Sequence, residues 1–302
     1  LRRIAQLKDL LLNEYGLFRG DAQVAGREEE DVYRALGLGW IAPELREDRG
    51  ELDAAAKHRL PRLIERADLR GDLHTHSTWT DGRASIETMA RAAKDAGLDY
   101  FAMTDHSKRL AMAHGLGPER LREQWREINA VARKLSGITL LRGIEVDILE
   151  DGSLDLPDDV LAELDWVVAS VHSRFDQSSE EMTRRIVTAI RNPNVDVLGH
   201  PSGRLINRRA SYSFDFDQVL VAARDEGCAL EINSQPDRLD LTDVACLAAR
   251  QAGVKVVVSS DSHSAMGFAQ LEHGVAQARR GWAEPADVLN TLPVNELLTR
   301  RH

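Results

Sequence analysis

From about residue 67 the chain repeats one pattern: a short apolar run, then a longer stretch with helical periodicity. The runs fall at 69–76, 100–106, 139–147, 166–172, 195–200, 229–234 and 254–261. Between them, 85–96, 118–135, 157–164, 179–191, 215–226, 240–252 and 268–280 carry apolar residues three and four apart, the spacing of a helix face turned to a core. Gly97, Gly227 and Gly253 stand where helix ends are expected. Alternating strands and helices predict parallel pairing through right-handed crossovers. Val167-Val-Ala-Ser-Val171 and Val256-Val-Val258 are continuously apolar and need cover on both faces. A closed barrel supplies that cover without exposed edges, and an open doubly wound sheet is the alternative. No eighth run is found, so the expectation is an α/β fold, a distorted seven-unit (β/α) TIM-like barrel.

The ends of these runs carry the chemistry. His74 and His76 are two apart, which on a strand points both imidazoles to one side. Asp81 follows in an Asp-Gly turn that can bring its carboxylate back. His106 ends the second run, Glu145 lies near the end of the third, His172 ends the fourth and His200 the fifth. The sixth ends in Glu231-Ile-Asn233, and Asp261 and His263 end the seventh. In a parallel barrel all strand C-termini open on the same face, so residues far apart in sequence become neighbours. Of the ten histidines, 74, 76, 106, 172, 200 and 263 stand at strand ends, with His114 in the loop after the second. Any one of them alone reads equally as a solvated strand end. Together they predict a multinuclear metal centre, since imidazole and carboxylate suit first-row divalent ions. His114 is read as a surface or substrate contact, and His58, His273 and His302 as solvated.

Residues 1–66 read differently, as a small, mostly helical appendage without ligand clusters. Ile4, Leu7, Leu10 and Leu11 have helical spacing within 1–12, and a second helical pattern over 28–36 stops at Gly37. Pro43, Gly50 and Pro61 interrupt residues 38–66. Cys228 and Cys246 lie in apolar contexts and give no disulfide framework. A net charge of −10 argues against a broad basic surface for nonspecific phosphate-backbone binding. It leaves nucleic acid open, because bound metal ions supply positive charge locally. No apolar run nears the ~20 residues of a membrane span. No signal-peptide pattern opens the chain, so a cytoplasmic location is expected. The start at Leu1 suggests a fragment or processed product.

His74-x-His76, Asp81-Gly82, Thr104-Asp-His106, Gly143-Ile-Glu145, His172, Gly199-His-Pro201 and Asp261-Ser-His263 resemble the motifs of the PHP (polymerase and histidinol phosphatase) metal-dependent phosphoesterases. Within that family the chain is most similar to the C-terminal PHP domain of bacterial family X DNA polymerases, on the stretch Glu231-Ile-Asn-Ser-Gln-Pro-Asp-Arg-Leu-Asp-Leu241. The leading segment resembles the end of the polymerase palm and thumb, at Asn13-Glu-Tyr-Gly-Leu-Phe18, 29–38 and 43–50. The resemblance thus divides the chain into a palm/thumb remnant, 1–66, and a PHP barrel, 67–302. It also implies a polymerase domain in cis in the full-length protein. Palm carboxylates and an N-terminal lyase region are absent from the sequence, so this chain is not expected to polymerise DNA.

The resemblance implies three divalent ions, zinc, manganese or iron. By motif the first takes His74, His76, Glu145 and Asp261. The second takes Glu145, His172 and His200, so that Glu145 bridges, and the third takes Asp81, His106 and His263. All nine positions hold competent ligands. The implied reaction is hydrolysis of a phosphoester at DNA 3′ ends, by 3′–5′ exonuclease or end-processing activity in repair. The alternatives are a small-molecule phosphatase of the histidinol-phosphatase type, and a noncatalytic module that scaffolds a polymerase. Lys108, Arg174 and Arg204 follow strand ends and are candidate phosphate contacts or, equally, solvated surface cations. Asp105 and Asn233 are candidates to orient ligands or substrate, or to cap loops.

Overall fold

Each predicted apolar run contains a strand in the computed structural model, which describes residues 1–299. They are β4 (Gly71–Asp72), β5 (Tyr100–Met103), β6 (Thr139–Asp147), β7 (Trp166–Ser170), β8 (Val197–Leu198), β9 (Ala229–Asn233) and β10 (Val256–Ser259). Three earlier strands, β1 (Leu11–Asn13), β2 (Gly16–Arg19) and β3 (Ala22–Ala25), lie in the N-terminal unit. The seven pair in chain order, each parallel to the next, and helices surround them in a nearly closed barrel. The helices begin where the sequence supplies caps. Ser85, Asp215 and Thr242 accept from the backbone of Thr88, Gln218 and Ala245. Ser178 and Glu181 form a capping box.

Alternate residues of each strand separate two cores. Tyr100, Ala102, Leu141, Trp166, Val168, Val197, Ala229 and Val257 form one cluster, the barrel interior. Residues between them, such as Phe101, Ile144, Val167 and Val258, belong to the larger core shared with the helices. Continued at period two, the interior series runs Leu141-Gly143-Glu145, Trp166-Val168-Ser170-His172 and Val257-Ser259-Asp261. Apolar side chains fill the lower layers, and ligand-type side chains emerge at the C-terminal rim.

Among the described residues the barrel has no eighth strand, and residues 288–290 take part of its place. Val288 bridges Val256 in parallel. The Asn290 side chain donates to the carbonyls of Gly71 (2.6 Å) and Val258 (2.8 Å) and accepts from the Val258 N–H (3.1 Å). One amide thus joins the first and last strands. Nearer the rim Thr75 bridges Ser262, and the His76 N–H donates to the Ser262 carbonyl at 2.8 Å.

The chain divides into two compact units between Arg62 and Leu63, against the expected boundary at 66/67. Residues 63–66 pack with the barrel, because the Ile64 N–H donates to Ala283 and the Ile64 carbonyl accepts from Arg279. The first unit holds helices Arg2–Gln6, Glu29–Leu36 and Glu51–Ala56. It also holds an antiparallel sheet, β1–β2–β3, that the helical spacing of 1–12 did not anticipate. The helix stops at Gln6, where the Leu10 N–H donates back to the Ala5 carbonyl at 3.0 Å and Asp9 has φ +55°, and the chain turns again at Gly16. Gly16 has φ +136°, and a Cβ there would meet the Ala25 carbonyl at 2.5 Å. Among the described residues no helix is long and apolar enough to cross a membrane.

Candidate metal centre

Glu145, 1% exposed, is the hub of the rim. Its Oε1 lies 2.9 Å from His200 Nε2 and 3.2 Å from His172 Nε2. Its Oε2 lies 2.8 Å from His106 Nδ1, 3.4 Å from His74 Nε2 and 3.7 Å from His76 Nε2. Five imidazoles from four strand ends therefore converge on one carboxylate. Asp261 faces His76 (3.1 Å) and His74 (3.7 Å), and Asp81 faces His263 (3.3 Å) and His106 (3.4 Å). All nine predicted ligand residues are thus brought together.

Among the described residues, three overlapping groups place ligand atoms within 4.8 Å of one another: His74/His76/Asp261, His106/Glu145/His172, and His76/Asp81/His106/His263. The third contains its motif-based set with His76 added, and the first follows its set without Glu145. The middle group contains His106 where the motifs give His200, whose ring faces Glu145 through Nε2. Depth differs among them. His74 and His76 are fully buried, whereas the side chains of Asp81 and His263 are 37% and 36% exposed and form the open edge.

The arrangement fits metal ions. His74 Nε2, both ring nitrogens of His76, His106 Nδ1 and His200 Nδ1 are buried without hydrogen-bond partners. Buried polar atoms are rarely left so, and bare imidazole nitrogens facing carboxylates are what a divalent cation satisfies. Burial pushes His76 down to about 3, with His263 and His106 adding to the effect, so the ring stays neutral with one nitrogen free to act as a ligand. Burial also lowers His200, assisted by the charge of Arg238. Burial disfavours the cations of His74, His106, His172 and His263 too, but the neighbouring carboxylates outweigh it and raise all four, His106 to about 10. Against burial, the same imidazoles hold Glu145 and Asp261 well below the usual carboxylate range.

The partners behind the ligands are mostly ones that sequence reasoning missed. Glu231 Oε1 is 2.7 Å from His74 Nδ1, and its Oε2 accepts from the His200 N–H at 2.6 Å. Asp147 Oδ1 is 3.0 Å from His172 Nδ1. Such contacts fix which ring nitrogen is left bare. Both carboxylates were findable, because Asp147 is two residues after Glu145 on one strand, and Glu231 two after the interior Ala229. Asn233 donates to Asp261 Oδ2 at 3.0 Å, the orienting role weighed for it. Asp105 anchors the loop that carries Asp81, accepting from the Ser77 N–H (2.8 Å), the Ser77 hydroxyl (2.6 Å), the Thr80 hydroxyl and Gln124 Nε2 (2.6 Å).

The predicted cations fare differently. Lys108 is exposed in the loop after β5. Arg174 is 61% exposed, 3.8 Å from Asp176. Arg204 is committed to backbone, donating to the carbonyls of Arg238 and Leu239, so it braces the loop instead of facing the centre. The missed cation is Arg238, within the stretch 231–241. Its Nε is 3.7 Å from Asp261 Oδ2, and its Nη1 is buried without a hydrogen-bond partner. His114 is exposed in the loop after β5 and outside the ligand groups. His58 and His273 are exposed, both cysteines are buried and free, and His302 lies outside the described residues.

A parallel β/α barrel with a histidine–carboxylate cluster on its C-terminal rim defines a metal-dependent hydrolase. The family model for the PHP domain matches residues 72–265, and that for the DNA polymerase beta thumb matches residues 1–47. The chain belongs to the PHP family of metal-dependent phosphoesterases. It is 41% identical over 300 residues to the DNA polymerase/3′-5′ exonuclease PolX of Bacillus subtilis (strain 168), covering 98% of this chain and 52% of that protein. The chain thus spans about half the length of this polymerase relative. A probable phosphatase of Thermoanaerobacter sp. (strain X514) is 33% identical over 232 residues, 73% of this chain and 89% of its own. The solved histidinol phosphate phosphatase of Lactococcus lactis subsp. lactis Il1403, complexed with zinc, L-histidinol and phosphate, shares the fold. Its TM-score is 0.50 at 19% identity, over 69% of this chain and 93% of that one.

Proposed function

We propose that the chain hydrolyses phosphoesters at DNA 3′ ends, as an exonuclease or end-processing module beside a polymerase, using three divalent ions held by the nine rim residues. The observation that supports this most is the convergence of five imidazoles on Glu145, with carboxylates on either side. Mixed imidazole and carboxylate donors suit zinc, manganese or iron. Bound there, such ions supply Lewis acidity toward a phosphoryl group and activation of water near neutral pH. The protein's own part is positional. Glu145, facing imidazoles of more than one ligand group, would be a ligand shared between ions, and Asp147 and Glu231 hold the rings of His172 and His74. Arg238 receives a phosphoryl oxygen at its unpartnered Nη1 and stabilises charge developing there. The Asp81–His263 edge, open to solvent, is where the ester enters.

The DNA end as substrate rests on the thumb-like leading unit and the likeness to the B. subtilis polymerase. A second reading, hydrolysis of small phosphomonoesters, is favoured by the likeness to probable phosphatases. One experiment separates them. The purified chain is incubated with Mn²⁺ and end-labelled single-stranded DNA, 3′-phosphorylated DNA or a small phosphomonoester, beside His172→Ala. The proposal expects DNA turnover that falls at least about a hundredfold in the variant. Turnover of the small ester alone selects the second reading, and equal turnover by both proteins removes the site.

A further inference from the structure

Among the carboxylates near the centre, Glu231 spends its two oxygens on two different ligand residues. It is 1% exposed. Oε1 lies 2.7 Å from His74 Nδ1, and Oε2 accepts from the His200 backbone N–H at 2.6 Å. Asn233 Nδ2 ties the pair further, 3.2 Å from Glu231 Oε2 and 3.0 Å from Asp261 Oδ2. By motif His74 and Asp261 belong to one ion position and His200 to the next.

We propose that Glu231 is the shared positioning residue of two ion positions, so that support for one is inseparable from support for the other. This rests on the three-ion centre of the proposed function. A carboxylate against His74 Nδ1 keeps the proton on that nitrogen. It leaves Nε2 bare and aimed between Glu145 (3.4 Å) and Asp261 (3.7 Å). The contact with His200 acts through the backbone. His200 has φ +28°, a region costly for a residue with a Cβ, and its N–H is fixed by Glu231. That backbone aims the ring so that Nε2 reaches Glu145 at 2.9 Å. Asp147 is the contrast, a carboxylate at 3.0 Å behind His172 alone.

A glutamine at 231 keeps the shape but cannot serve both. With its amide nitrogen toward His74 it forces the ring proton onto Nε2, the atom meant for the ion. With that nitrogen toward His200 two donors meet. An alanine removes both supports at once.

The test is equilibrium dialysis against Mn²⁺, reading ions bound per chain across a concentration series. Wild type is expected to load three positions. Glu231→Ala is expected to weaken two of them by about 10–100-fold each, and Asp147→Ala only one. Weakening of one position or none by Glu231→Ala overturns the proposal. A wild-type chain that binds no Mn²⁺ removes the centre itself, a failure visible without any variant. Should Glu231→Ala not fold, ¹⁵N NMR of the metal-free wild type decides. The His74 signals are expected to show a proton held on Nδ1 against Glu231, and an Nδ1 without a proton overturns the proposal.

Discussion

Arg238 and Arg204 sit in one loop neighbourhood and do opposite things. Arg204 spends Nε and Nη2 on carbonyls, whereas Arg238 keeps a buried Nη1 without a partner beside Asp261. Replacing Arg238 with alanine is expected to cut kcat/KM toward a phosphoester by at least about tenfold with the bound metal unchanged, and lysine to recover part of it. Steady-state kinetics with metal analysis checks this, and equal loss in Arg204→Lys contradicts it. The raised imidazoles give a second expectation. With its carboxylates around it, His106 is raised to about 10 and carries a proton at pH 7 in the metal-free protein. A ligand nitrogen must be bare, so ion binding releases protons and tightens as pH rises through neutrality toward about 10. Calorimetric titration with Mn²⁺ in two buffers of different ionisation enthalpy measures the release, and none observed contradicts the assignment. The convergence of the nine candidate ligand residues was legible because each stands at the end of an apolar run or in the turn just after it. The rim positions of Glu231 and Asp147 were findable from strand period, but their partners and the place of Arg238 were not, because those depend on which residues of other strands face them.

The barrel seam is an element-scale problem solved by one side chain. Gly71, Val258 and Asn290 share three hydrogen bonds where a strand pair would otherwise run. Asn290→Ala leaves those buried groups without partners, at about 1–3 kcal/mol each for the worst placed. A loss of about 3 kcal/mol is expected, which lowers Tm by about 6–12 °C for a domain of this size. An unchanged Tm in thermal unfolding rules out the seam role of Asn290. The strands and helices of the barrel were legible from periodicity and caps. Residues 288–290 were not, since three residues around an asparagine carry no strand pattern. The small sheet β1–β3 was hidden by the leucines of 1–12, whose spacing suits a helix, while the turn at Gly16 bends the chain back as a hairpin.

At the scale of the whole molecule, a chain of net charge −10 concentrates acidic and imidazole groups at one end of a barrel. That costs stability unless cations enter, because buried bare donors and acceptors are otherwise unmatched. The parallel order of seven strands is what turns sequence positions 74 to 263 into one locus, and the fold class was readable from that alternation. Substrate choice was not readable in the same way, since phosphoester chemistries share one rim and differ in what approaches it. The central claim is that this rim holds several divalent ions around Glu145. Crystals grown with Mn²⁺ and measured at the manganese absorption edge test it most directly. The account predicts anomalous peaks within about 2.0–2.3 Å of Glu145 oxygens and of ring nitrogens of His74, His172 and His200. A rim without anomalous peaks at saturating Mn²⁺, or peaks only on the outer helices, contradicts it.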